Sequence, residues 1–127
     1  MDEHQRLLNA LSTALQGKGF EVINQAGWQD REPFAIGRHK PDIIAKDPSG
    51  VLVIGEAKTG ADLDTQRSRE QFVDFSSRIM SEGILKGREI PLHIIIPESY
   101  SARLRQVLAS LGLASKIGNR ITIWTLG

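Results

Sequence analysis

Asp42, Glu56 and Lys58 are the residues of this chain whose types and spacing could do chemistry. They flank two apolar runs, Ile43-Ile44-Ala45 and Val51-Leu52-Val53-Ile54, which are separated by Asp47-Pro48-Ser49-Gly50. Pro48 presets the first central position of a type I turn and Gly50 accepts the left-handed conformation that follows, so the gap predicts a three-residue hairpin loop with a bulge. Asp47 then faces Val51. Partners in an antiparallel pair keep a constant index sum, which sets Ile44 against Ile54 and Asp42 against Glu56. Side chains alternate between faces, so Lys58 shares a face with Glu56. Directly opposed carboxylates disfavour a sheet and need a compensating cation, for which a divalent metal ion is the natural candidate. A turn one residue longer or shorter would send the two carboxylates to opposite faces.

The elements around this hairpin follow from periodicity. Leu7, Leu8, Leu11, Ala14 and Leu15 repeat at helical spacing and Gly17 and Gly19 end the pattern, which predicts an amphipathic helix from about Asp2 to Gln16. Phe20-Glu21-Val22-Ile23 reads as a short strand, followed by a polar connection through Trp28 and Pro33. After Lys58, Thr59-Gly60 breaks the strand, and one helix is expected with a polar first half from Ala61 to Glu70 and an apolar second half carrying Phe72, Phe75, Ile79 and Met80. The run Leu92 to Ile96, fenced by Pro91 and Pro97, predicts a buried central strand. Leu104, Val107, Leu108 and Leu111 give another helix stopped by Gly112, and Ile121 to Trp124 a last strand. The order predicts an α/β domain whose mixed central sheet is flanked by helices on both faces, with the hairpin central, and no linker divides residues 1 to 127.

Composition limits what these elements can do. The 127 residues carry 40% hydrophobic content, enough for one core, and no cysteine, so any metal must be held by oxygen or histidine, which favours a hard cation. Lys plus Arg number 16 against 15 Asp plus Glu, so affinity for nucleic acid would have to be local. The N-terminus lacks the apolar core of a signal peptide and no window approaches a membrane span, which predicts a soluble, cytoplasmic protein.

Pro41-Asp42, a hairpin, then Glu56-Ala57-Lys58 resembles the PD-(D/E)XK motif of the restriction-endonuclease-like nuclease superfamily, and the element order is similar over most of the chain. Within it, Gly37-x-x-Lys40-Pro41-Asp42 resembles Holliday-junction resolvases. The resemblance implies a metal-dependent DNA endonuclease, with Mg²⁺ or Mn²⁺ on Asp42, Glu56 and the backbone carbonyl of Ala57. Such an ion, held by one or two carboxylates plus substrate phosphate, would supply an activated water and neutralise charge at the phosphorus. Lys58 would position or deprotonate that water or stabilise developing charge. The resemblance further implies an acid on the first helix, for which Glu3 is the candidate ahead of His4 or Asp2, and a glutamine on the helix after Lys58, best matched by Gln71. Arg38, His39, Lys40, Arg67 and Arg69 are candidate DNA-phosphate contacts, with His39 alternatively a group behind the ligands.

Simpler readings exist for each residue. Pro-Asp is a common turn dipeptide, Glu-x-Lys occurs by chance in charged chains, Glu3 could complement a helix dipole and Gln71 could be surface polarity. His93, inside an apolar strand, reads as a satisfied core histidine, and Trp28 and Trp124 as packing. The alternative function is a nuclease-fold module that binds DNA or assembles with a partner while cleaving weakly. Acting on paired strands would call for a homodimer.

Overall fold

The computed structural model describes residues 1–127, which form one α/β domain with a mixed five-stranded sheet and three helices. Helix α1 is Glu3–Gly17, capped by the Asp2 side chain accepting from the Gln5 N–H at 2.8 Å. The strands are β1 Glu21–Gln25, β2 Ile43–Lys46, β3 Leu52–Ala57, β4 Leu92–Pro97 and β5 Ile121–Leu126, adjacent in the sheet in that order. Helices α2, Gln66–Ser76, and α3, Ser101–Ser110, carry the chain from β3 to β4 and from β4 to β5. No helix is long and apolar enough to cross a membrane.

β1, β2 and β3 pair antiparallel, whereas β3, β4 and β5 pair parallel. Two successive parallel crossovers progressing in one direction must lie on the same face if both are right-handed. Accordingly Phe72 and Phe75 of α2 and Leu104, Val107 and Leu108 of α3 share one core with Ile44, Ile54, Leu92, Ile94 and Ile96. The opposite face buries Leu7, Leu8, Leu11 and Leu15 of α1 on Ile43, Ala45, Val53, Ala57 and Ile95. The alternation along β3 thus directs Ile54 to the α2 side and Val53 and Ala57 to the α1 side. Gly55 keeps α1 close, since a Cβ there would sit 3.1 Å from Leu11 Cδ2.

The hairpin lies in the middle of the sheet, and its register runs Ile43↔Gly55, Ile44↔Ile54, Ala45↔Val53 and Lys46↔Leu52, as the turn chemistry predicts. Asp47 and Val51 close it through an N–H to carbonyl bond of 2.9 Å, and Gly50 has φ of 88°. Asp47 Oδ1 also accepts from the N–H groups of Ser49 and Val51, which locks the loop.

One expectation is corrected. The helix after Lys58 does not run from Ala61 to Met80 but occupies only Gln66–Ser76. Its start is set by Thr65, whose side chain accepts from the Ser68 N–H, and Leu63 turns into the core ahead of it. At the other end the Ser76 and Ser77 hydroxyls bond back to the Val73 and Asp74 carbonyls, and Ile79 leaves to bridge Glu89.

Candidate active site

Asp42, Glu56, Lys58 and Gln71 come together where β3 ends, on the face covered by α2. The register extends to set Asp42 opposite Glu56 and Pro41 opposite Ala57. Because Asp47 and Val51 are a hydrogen-bonded pair, strict alternation makes Asp42 and Glu56 a non-hydrogen-bonded pair, the kind whose side chains stand closest. Pro41 and Ala57 fall at the next hydrogen-bonded position, where Pro41 has no N–H to offer the Ala57 carbonyl. The Ala57 N–H donates instead to Asp42 Oδ2 at 2.9 Å. The Asp42 carbonyl turns to β1 and accepts from the Ala26 N–H at 2.8 Å.

Glu56 is 2% exposed, and its Oε1 has no hydrogen-bond partner. Burial, reinforced by the neighbouring Asp42 charge and only partly offset by Lys58, pushes its carboxyl well above the ordinary value. Burial also pushes Asp42 up, but hydrogen bonds from His4 and from the Ala57 N–H outweigh it and leave this carboxyl below its ordinary value. The pair therefore holds one negative charge far more readily than two, unless a cation joins it. Lys58 is buried, with its ammonium 3.9 Å from Glu56 Oε2 and donating to Gln71 Oε1 on α2.

From α1 the residue that reaches this cluster is His4, with Nε2 3.2 Å from Asp42 Oδ2. That bond raises the imidazole above its ordinary value against the effect of partial burial, and Asp62 and Asp2 add to it. Glu3 is exposed and lines a shallow cavity with Thr59, Gly60 and Tyr100. No group of three His, Asp or Glu side chains placed to hold a metal ion is present, and Glu3 is not brought together with Asp42 and Glu56. Sequence spacing could not choose between positions 3 and 4, since neighbours on a helix differ by only about 100° of rotation.

The oxygens free to hold a metal are Glu56 Oε1, Asp42 Oδ1 and the Ala57 carbonyl, which lacks a donor from the adjoining strand. This set fits a hard cation such as Mg²⁺, which takes one or two carboxylates and fills its other positions with water and substrate oxygens.

The basic residues divide. The Arg38 N–H donates to Asp74 Oδ2 at 3.0 Å and His39 Nδ1 stands 2.9 Å from the same oxygen, so both are anchored to α2. Arg38 and Arg69 line one hollow of about 270 Å³ with Gln66, Glu70, Val73 and Leu111. Arg69 donates to the Asp64 carbonyl and the Ser110 hydroxyl. Lys40 and Arg67 are exposed.

Asp74 escaped the sequence reading. It is 3% exposed and also accepts from Arg78, and the signal for it was a carboxylate inside the apolar stripe of Phe72 and Phe75. His93 is the core histidine expected, its Nδ1 accepting from Trp124 Nε1–H at 2.9 Å while burial pushes its pKa down to about 4. Trp28 lies half-buried under the Arg31 guanidinium.

Comparison of the chain with family models, with curated proteins and with solved structures finds no match.

Proposed function

We propose that this chain is a Mg²⁺- or Mn²⁺-dependent DNA endonuclease of the restriction-endonuclease-like PD-(D/E)XK type. The observation that carries the reading is the buried, unpartnered Oε1 of Glu56 set beside Asp42 and Lys58 at a strand end. A buried carboxylate oxygen without a donor is costly, and opposed like charges add to the cost, so the arrangement fits a site built for a cation rather than for stability. Asp42, Glu56 and the Ala57 carbonyl would hold the metal, which supplies charge neutralisation and an acidified water when bound.

Lys58 spends one of its three ammonium protons on Gln71, and that bond fixes the head group in place. Its remaining protons are available to orient the attacking water and to stabilise the charge that grows on the non-bridging phosphate oxygens. In the reaction the water oxygen bonds to phosphorus as the bond from phosphorus to the departing sugar oxygen breaks. The water proton passes to solvent, and the departing oxygen takes a proton from it.

The direct test incubates the purified protein with supercoiled, linear, branched and single-stranded DNA and Mg²⁺ or Mn²⁺, beside a size-exclusion measurement of whether it is a homodimer. Cleavage by wild type and none by Lys58→Ala is expected. Wild type leaving all four substrates intact overturns the reading. A second reading, a DNA-binding module without cleavage, is favoured by the engagement of Asp42 Oδ2 by both Ala57 and His4, which occupies one of the oxygens a metal would use. It predicts no carboxylate-dependent metal site.

A further inference from the structure

A cavity of about 430 Å³ opens at the C-terminal ends of β3 and β4 and is lined by Glu3, Thr59, Gly60, Ser99 and Tyr100 among others. Both of its walls connect to the proposed catalytic cluster. Glu3 precedes His4, which touches Asp42, and Thr59 follows Lys58. The phenol end of Tyr100 occupies the space that a Cβ on Gly60 would fill, so the absence of a side chain at Gly60 sets where the ring lies. Tyr100 nevertheless remains 40% exposed.

The lining defines the ligand chemistry. Glu3 is the one charged residue lining this cavity, so its walls are acidic and repel phosphate. The more basic hollow is elsewhere, on α2, where Arg38 and Arg69 line the surface with Glu70 as the one acid, held by Gln66. What suits an acidic, hydroxyl-lined cavity with an exposed aromatic ring is a nucleobase, which stacks its face on the ring and turns N–H donors to the acid. Resting on the nuclease reading, we propose that this cavity receives a base neighbouring the scissile phosphate, with Tyr100 as its stacking platform and Glu3 reading its amino edge. Guanine suits Glu3 best, because its N1–H and N2–H₂ donate in parallel to the two oxygens of one carboxylate. Thymine has no amino group and suits it least.

The test measures binding by fluorescence anisotropy in Ca²⁺, using short single-stranded thymidine oligonucleotides with and without one guanine. Wild type is expected to bind the guanine-containing strand about tenfold more tightly, the scale of one base contact. Glu3→Gln should lose that preference, binding the all-thymidine strand at least as tightly as wild type does and keeping its affinity for Mn²⁺. Tyr100→Ala should weaken both strands by about tenfold. Gly60→Ala, which displaces the ring without touching Glu3, should follow Tyr100→Ala. Equal affinity of wild type for the two strands, or a preference retained by Glu3→Gln, overturns the proposal. Metal-dependent cleavage that disappears in Lys58→Ala would stand in either case, so failure of the base pocket is distinguishable from failure of the nuclease reading.

Discussion

Asp42 Oδ2 accepts the N–H of Ala57 at 2.9 Å, replacing the strand partner that Pro41 would otherwise be. One carboxylate therefore both completes the ladder and stands against Glu56. Asp42→Asn keeps an acceptor for Ala57 and removes the like charge, so it should fold with stability within about 1 kcal/mol of wild type. Asp42→Ala strands the Ala57 N–H and should cost roughly 1–3 kcal/mol. Both should lose Mn²⁺ binding, read by titration calorimetry. Full retention of Mn²⁺ affinity by Asp42→Asn would remove this residue from the proposed metal site.

Lys58, immediately after β3, and Gln71 of α2 form a buried pair. Gln71→Leu leaves the ammonium with only Glu56, at 3.9 Å, and should cost about 2 kcal/mol of stability, the range of a hydrogen bond to a charged group. Lys58→Met alone removes the only cation next to Glu56. Urea denaturation of both single variants and the double variant should give a coupling energy of about 1–2 kcal/mol. Strict additivity would mean the bond contributes nothing in solution.

The hairpin was legible because its register depends on local turn chemistry. Pro48 and Gly50 admit one loop, and the loop dictates that Asp42 meets Glu56. The ends of α2 were not legible, since Thr65 as a cap and Ser76 and Ser77 as terminators compete with an apolar periodicity that continues through Ile79 and Met80. His4 and Asp74 depend on tertiary placement. Which side of α1 meets Asp42 is decided by how Leu7, Leu8, Leu11 and Leu15 settle on the sheet, and Asp74 becomes meaningful only when residues 37–40 fold over α2.

Asp74 ties the chain entering β2 to α2. Burial pushes its carboxyl up, but bonds from Arg78, His39 and the Arg38 N–H more than reverse this and hold it below its ordinary value. Asp74→Ala removes the acceptor of His39 and of the Arg38 N–H, while the partly exposed Arg78 turns to solvent, so it should destabilise by about 1–3 kcal/mol. Amide exchange in residues 37–40 should also speed up. Gly37 has φ of 72° and lies against the Arg78 guanidinium, so Gly37→Ala should release the same segment without altering any charge. Unchanged exchange in both variants would show that this segment is held by other contacts.

His93 supplies a pH test away from Asp42 and Glu56. Its ring lies edge-on to Phe20 and accepts from Trp124, and burial lowers its pKa from 6.5 to about 4. The sign follows from proton counting. Between those values the unfolded chain binds a proton that the folded chain refuses, so stability falls as pH drops from about 6.5 to about 4, by about 3 kcal/mol in all. His93→Gln can keep an acceptor for the Trp124 indole but does not titrate. Carboxylates such as Asp74 also lose stability in acid, but they do so equally in both proteins, so the difference between the two stability curves isolates the imidazole. Denaturation midpoints measured across that range should converge as pH falls, with wild type losing more than His93→Gln. Parallel curves would mean that His93 is protonated in the folded chain as easily as in the unfolded one.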